Sequence, residues 1–320
     1  MAPDPPGFFP PTTTINPLSP PHKNTIILLH GRGFSAETFG PALVSTTFPS
    51  ISSSLTTLQT AHPHTKFLLP LAPRHRATIY KRSIIHQWFD SWHLNQNSPT
   101  DTEEWRVVPA LRDTIAYVHG LVRQEAALVG GVGNVMLGGM SQGCAASLMA
   151  LLLWEGEALG GYLGMFGWLV FEREAKRVLL LVAGGGGEKE EEEEQEFDPF
   201  ERDENERSSG DEEEEEAVGV EARVVRLLRE QLELEGAGAV TSRPKSFDTP
   251  VFLGHGTDDD KVPFARGREA AECLKAAGLD VQWQAYPGLA HWYSADMLKD
   301  MSCFMTDRAG WERPGDTGTM

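Results

Sequence analysis

Three cysteines in 320 residues, Cys144, Cys273 and Cys303, are too few and too scattered for a disulfide framework or a zinc site. No stretch reaches the ~20 apolar residues that a membrane span requires; Leu151-Leu152-Leu153-Trp154 is broken by Glu155 and suits a buried helix end. The start of the chain is Pro-rich from Pro3 to Pro21, without the basic-then-apolar order of a secretory signal. Ala2 stands where myristoylation needs glycine, and the C-terminus carries no C-a-a-X box. A reduced, cytoplasmic location is the expectation, with the nucleus also open. There is no internal repeat. The G-G-x-G run at 130–133 precedes a strand, the wrong side for a phosphate-binding loop. Basic residues are outnumbered too, 28 Lys and Arg against 46 Asp and Glu, and no nucleic-acid partner is expected.

The net charge of −18 belongs mostly to one block. Residues 188–216 hold eighteen Asp or Glu against three Lys or Arg, a local charge of −15, which leaves the remainder near neutral at −3. Entered through Gly184 to Gly187, this block repels itself and has too little apolar surface to offset the entropy of ordering. It is expected to be a disordered acidic insertion over 184–216. As a binding arm for basic partners or cations it would use Phe197 and Phe200 as docking points, and the chain would then be an interaction protein on an idle scaffold. The expected organisation is a Pro-rich tail over 1–24, an α/β domain over 25–304 interrupted by that insertion, and a C-terminal tail over 305–320.

What the chain does contain is Gly139-Met140-Ser141-Gln142-Gly143, directly behind the apolar run Asn134-Val135-Met136-Leu137-Gly138 and before the helix-compatible stretch 144–153. A strand followed by G-x-S-x-G has the form of a nucleophile elbow, in which a serine sits on a strained strand-to-helix turn between small neighbours. Such a serine needs a base, and the base needs a carboxylate to orient it. In this architecture the chain order is Ser, then acid, then His. Downstream, Pro250-Val251-Phe252-Leu253-Gly254 reads as a buried strand ending in a turn that carries Asp258, Asp259 and Asp260. The run Val281 to Tyr286 reads as another strand, followed by Pro287-Gly288-Leu289-Ala290-His291. Acid and histidine thus fall just past strand C-terminal ends, where open α/β sheets place their sites. Of ten histidines, His291 alone meets both chain order and placement. His30 and His255 sit in H-G turns and are expected to brace their loops, while His62, His64, His75 and His119 have no comparable context.

The developing oxyanion needs two backbone N–H groups. One comes from the residue after the nucleophile, Gln142. The other comes from an early strand-to-helix loop. Here Thr25 to Leu29 reads as that strand and His30-Gly31-Arg32-Gly33 as that loop, which makes the Arg32 amide the second donor. The Arg32 side chain reads as solvent-facing, with an anionic substrate group as its alternative partner.

Four segments resemble the acyl-protein thioesterase, or phospholipase/carboxylesterase, family of serine α/β-hydrolases: Leu28-Leu29-His30-Gly31-Arg32-Gly33, Gln87-Trp88-Phe89-Asp90, Leu137 to Gly143, and His255-Gly256-Thr257-Asp258-Asp259-Asp260-Lys261-Val262-Pro263. The ending Gly288-Leu289-Ala290-His291 fits as well. The resemblance implies an α/β-hydrolase fold, with a mostly parallel central sheet flanked by helices. It implies a Ser141-His291-Asp259 triad, since the catalytic acid is the fifth residue of H-G-x-x-D. It also implies substrates that are acyl thioesters on protein cysteines or oxygen esters such as lysophospholipids, with small soluble esters as the alternative. No metal or organic cofactor is needed for such chemistry. Phe34 departs from the Asp that usually follows H-G-x-G. Among the aromatics of the 77–105 stretch, which include Trp92 and Trp105 with Tyr80 nearby, Trp88 and Phe89 are candidates for an acyl pocket or for plain core packing. Arg74, His75, Arg76, Lys81 and Arg82 form a basic cluster that would steer the protein to an anionic membrane surface.

Further expected elements are a helical or looped stretch over 35–58, a strand at 66–69, a long loop through Trp105, and a helix near 107–128. A strand and its exit loop over 160–171, a segment 173–183 open between helix and strand, a helix within 218–234, and helices at 264–277 and 295–301 complete the alternation.

Overall fold

The computed structural model describes residues 2–50, 54–91, 106–182 and 218–311. The acidic block with Phe197 and Phe200, the residues Trp92 and Trp105, and the end of the chain from 312 lie outside the described residues.

Apolar runs flanked by turn residues become parallel strands buried on both faces, as their lack of polar alternation requires. The strands are β1 (Thr13–Ile15), β2 (Asn24–Leu29), β3 (Phe48–Pro49), β4 (Leu55–Thr56), β5 (Thr65–Leu69), β6 (Arg74–Ala77), β7 (Ser83–His86), β8 (Val135–Met140), β9 (Gly161–Met165), β10 (Val251–Gly256) and β11 (Val281–Tyr286). Seven of them form one sheet in the order β1-β5-β2-β8-β9-β10-β11. All its pairings are parallel except β1 with β5. Along β2 the period-two alternation divides the core. Ile26 and Leu28 pack on one face, and Ile27 and Leu29 on the other.

The helices are α1 (Ala36–Ser45), α2 (Leu58–Ala61), α3 (Val108–Val129), α4 (Gln142–Leu152), α5 (Glu172–Val182), α6 (Val220–Gln231), α7 (Phe264–Ala276) and α8 (Ala295–Asp307). In α3 the buried Leu111, Ile115, Val118 and Val122 recur at helical spacing, and Gly130 ends the helix in the left-handed region at φ 80°. α3, α4, α6 and α7 share the core face of Ile27. Phe39 and Leu43 of α1 and Met297, Met301 and Phe304 of α8 share the opposite face. Every residue of α4 is buried, which is why its sequence shows no polar face. No described helix is long and apolar enough to cross a membrane.

Two expectations need correction. The Pro-rich stretch is not a free tail. Thr13 to Ile15 pair with Leu69 to Phe67 at the sheet edge, Phe9 stacks on Tyr117 at 3.9 Å, and Asp4 accepts from the backbone and side chain of Arg74. Three strand residues between prolines are too few to show a period. The long loop after β5 contains the β6–β7 hairpin, masked in the sequence by its basic residues and closed by Lys81 and Arg82, both at positive φ. Residues 173–182, open between helix and strand in the sequence, are helical in α5, and β9 is followed by its expected exit loop.

Candidate active site

β8 runs into Ser141 at φ 56°, ψ −122°, a region that L-residues rarely occupy and that stores about 1–3 kcal/mol. The turn is held because the Ser141 N–H donates to Met165 O at 2.8 Å, at the end of the neighbouring strand. The flanking glycines have separate steric reasons. A Cβ on Gly139 would lie 2.5 Å from the Gly143 carbonyl carbon, and one on Gly143 would lie 2.3 Å from Leu29 O. The first glycine lets the helix fold back on its own strand. The second lets α4 start against the end of β2. Gly143→Ala is therefore expected to destabilise the fold by about 1–3 kcal/mol, read as a lowered Tm. An unchanged Tm would contradict the contact of α4 with β2.

That contact also brings Ser141 to the H-G-R-G loop: a Cβ on Gly31 would stand 3.3 Å from Ser141 Cβ. The loop is braced by His30, whose Nδ1–H donates to Gly31 O at 2.8 Å while Nε2 accepts from Ala72 N at 3.0 Å. Burial pushes the His30 imidazole down to about 4, so this neutral arrangement persists at neutral pH. Among the described residues, the N–H groups of Arg32 and Gln142 donate to no carbonyl, whereas Gly33 N donates to His86 O and Phe34 N to Gly31 O. Both amides belong to residues adjoining the close approach of Gly31 to Ser141.

The Gln142 side chain is fully buried. Its Oε1 accepts from Trp88 N at 3.0 Å and its Nε2 donates to Phe89 O at 2.7 Å. Trp88 Nε1 donates to His30 O at 2.8 Å. Trp88 and Phe89 are 0% and 1% exposed, so they lie in the core, where they tie α4 to the H-G loop. Of the two readings for this pair, core packing is the one observed. Nor does the Arg32 side chain simply face solvent. It is partly buried and donates to Ser91 Oγ, and its Nε is buried without a partner.

Asp259 is separated from its neighbours by its contacts. Its carboxylate is 0% exposed and accepts three N–H groups, with a second imidazole nitrogen nearby. Lys261 N and Val262 N reach Oδ1, both at 2.9 Å; His291 Nδ1 at 2.7 Å and His255 Nε2 at 3.0 Å reach Oδ2. Burial would raise this carboxyl, but the donors from His255 and His291 outweigh it and hold it well below the usual carboxylate range. Asp258 instead accepts from Thr257 Oγ1, and Asp260 pairs with exposed Lys261 at the surface. The Phe166 ring lies 5.3 Å from His291 and 5.5 Å from His255, edge-on to both. Phe34, at the position that departs from the family pattern, packs its ring 5.4 Å from Trp292 beside the histidine. The contact of His255 with Asp259 escaped the sequence reading, although their i, i+4 spacing across the turn was visible. Three other described histidines hold structure: His62 bonds Ser302, His64 bonds Ser19 O, and His119 bonds Ala150 O. Among the described residues no group of three or more His, Cys, Asp or Glu is placed to hold a metal ion.

Residues 11–183 and 236–308 match the phospholipase/carboxylesterase family. The chain belongs to that family. The interruption of the match, 184–235, brackets the acidic block. An acyl-protein thioesterase 1 of Gibberella zeae is 24% identical over 296 residues, 90% of this chain and 92% of the relative. Carboxylesterase SOBER1 of Arabidopsis thaliana is 25% identical over 89% of this chain and 91% of its own length. The crystal structure of SOBER1 matches with a TM-score of 0.56, covering 89% of this chain and 98% of that one. The crystal structure of Zea mays acyl-protein thioesterase 2 matches with a TM-score of 0.60 at 20% identity, covering 94% and 99%, which speaks for the fold. As a member of the phospholipase/carboxylesterase family, the chain is a serine hydrolase of α/β-hydrolase fold.

Proposed function

We propose that this hydrolase cleaves acyl thioesters or oxygen esters through a Ser141-His291-Asp259 triad. The observation that carries the reading is the buried Asp259 carboxylate bonded to His291 Nδ1 at 2.7 Å, downstream of a serine on a strained elbow. Such a pair sets the imidazole tautomer, leaving Nε2 to accept the Ser141 proton as Oγ attacks the acyl carbonyl. The negative charge that develops on the carbonyl oxygen is met by the Arg32 and Gln142 amides, dipoles already in place before reaction. Collapse of this intermediate breaks the bond to the leaving thiol or alcohol, which takes its proton from His291. Water, activated by the same imidazole, then attacks the acyl-enzyme and frees Ser141.

Relatives named as thioesterases and as carboxylesterases support both ester classes. Long-chain acyl groups on protein cysteines are the substrate we favour, with action in the cytoplasm, where thiols stay reduced and the three free cysteines would persist. The test is kcat/KM on a palmitoyl thioester, a lysophospholipid and a short-chain ester. Preference for the palmitoyl thioester is the expected result. Preference for the short ester would make the chain a broad carboxylesterase, and turnover of none would remove the assignment.

A further inference from the structure

His255 lies four residues before Asp259, at the end of β10, and is 1% exposed. Its Nε2 faces two oxygens, Asp259 Oδ2 at 3.0 Å and Val262 O at 3.0 Å, so this is the nitrogen that carries the hydrogen. Nδ1 is buried without a partner. The ring is enclosed by Phe166, Phe264 and Trp283, with centroids 5.5, 6.0 and 6.2 Å away. Gly267, in the interior of α7, is the fourth wall, and a Cβ there would lie 2.1 Å from Nδ1. A glycine inside a helix gives up about 1 kcal/mol relative to alanine. Here it leaves the space that the imidazole fills.

We propose that His255 is a positioning residue. Its Nε2–H, shared between Asp259 Oδ2 and the Val262 carbonyl, fixes the carboxylate oxygen to which His291 must bond. The inference rests on the triad assignment and extends it. Two backbone amides bond Oδ1 but do not select which way Oδ2 points along the His291 direction; a second imidazole from β10 does. The groups facing this oxygen are His255 from β10 and His291 from the loop after β11. Around them stand the surface charges of Asp260 and Lys261, and Tyr80 of the hairpin lies within electrostatic reach of Lys261.

The test measures the rate at which a fluorophosphonate probe labels Ser141 in the full chain, as a function of pH. His255→Phe keeps a ring and removes the donor; His255→Gln returns an N–H near the Nε2 position. His255→Phe is expected to label about 10–100-fold more slowly, in the range found when a partner that orients a functional histidine is lost. Probe affinity should stay unchanged. The acid limb of the profile should move up by about 0.5–1 unit, because the carboxylate relieved of one donor holds the His291 proton more tightly. His255→Gln should recover most of both effects. Gly267→Ala, which drives a methyl group into Nδ1, should reproduce the slowing and carries the test if His255→Phe does not fold. A folded His255→Phe or Gly267→Ala protein labelling at the wild-type rate would overturn the proposal. So would slowing with the limb unmoved or lowered and no recovery in His255→Gln, the pattern of lost packing alone. Wild-type labelling that is absent in Ser141→Ala is the control. If that control fails, the triad reading falls; if it holds while the variants are indifferent, only the role of His255 does.

Discussion

Ser141→Ala is expected to lower ester hydrolysis by about 10⁴–10⁶-fold, because the covalent route is lost and only binding and the Arg32 and Gln142 amides remain. Stability should be nearly unchanged. Among the described residues the Ser141 hydroxyl makes no hydrogen bond, His291 included, and the elbow is held by the backbone bond to Met165 and by the spaces at Gly139 and Gly143. A long Ser–His approach is common before substrate binds. Far-UV circular dichroism and Tm separate the two effects: wild-type values with no turnover are the expected result. Residual hydrolysis near the wild-type rate would leave the nucleophile elsewhere in the chain.

Asp259→Asn is expected to lower activity by about 10³–10⁴-fold and, unlike Ser141→Ala, to destabilise the fold. The carboxylate accepts two N–H groups on Oδ1 and that of His291 on Oδ2, with His255 Nε2 3.0 Å from the same Oδ2. An asparagine offers one acceptor oxygen and sets an NH₂ against two of those donors. The mismatch is buried, where an unsatisfied polar group costs about 1–3 kcal/mol. The same contacts fix a pH dependence. The folded-state carboxyl of Asp259 titrates below its unfolded value, so its contribution is fully present above the unfolded pKa of about 3.9 and is lost as pH falls through the lower, folded value. Wild type should therefore lose stability on acidification in that window, and Asp259→Asn should lose less over the same range. Denaturant unfolding from pH 6 downward checks it; parallel curves for the two proteins would show that Asp259 carries no special share.

The elbow serine, His291 and the acidic turn were legible because each is written in a short local string. A buried strand, a glycine where the chain must turn or approach, and the reactive residue at the strand end are features of consecutive residues, and local sterics suffice to predict them. The same holds for β2, β8, α3 and α7, whose runs and periodicities survive in the structure within a residue or two. Choosing Asp259 from the Asp258-Asp259-Asp260 run was different. The residues alone left all three open, and resemblance to a family pointed to the middle one. What distinguishes it physically is its burial, its three N–H donors and the two imidazoles, from different strand ends, that meet its Oδ2.

By itself, then, the chain determined the parallel part of the sheet, the elbow and the order of serine, acidic turn and histidine. Only the tertiary structure decided the rest. It sank Trp88 and Phe89 into the core, drew Arg32 to Ser91, and paired Thr13–Ile15 with β5. It also set His255 on the same carboxylate oxygen as His291. Each of these depends on groups brought together from distant parts of the chain or across a folded turn. Periodicity records which face of an element is buried; it does not record what that face will meet.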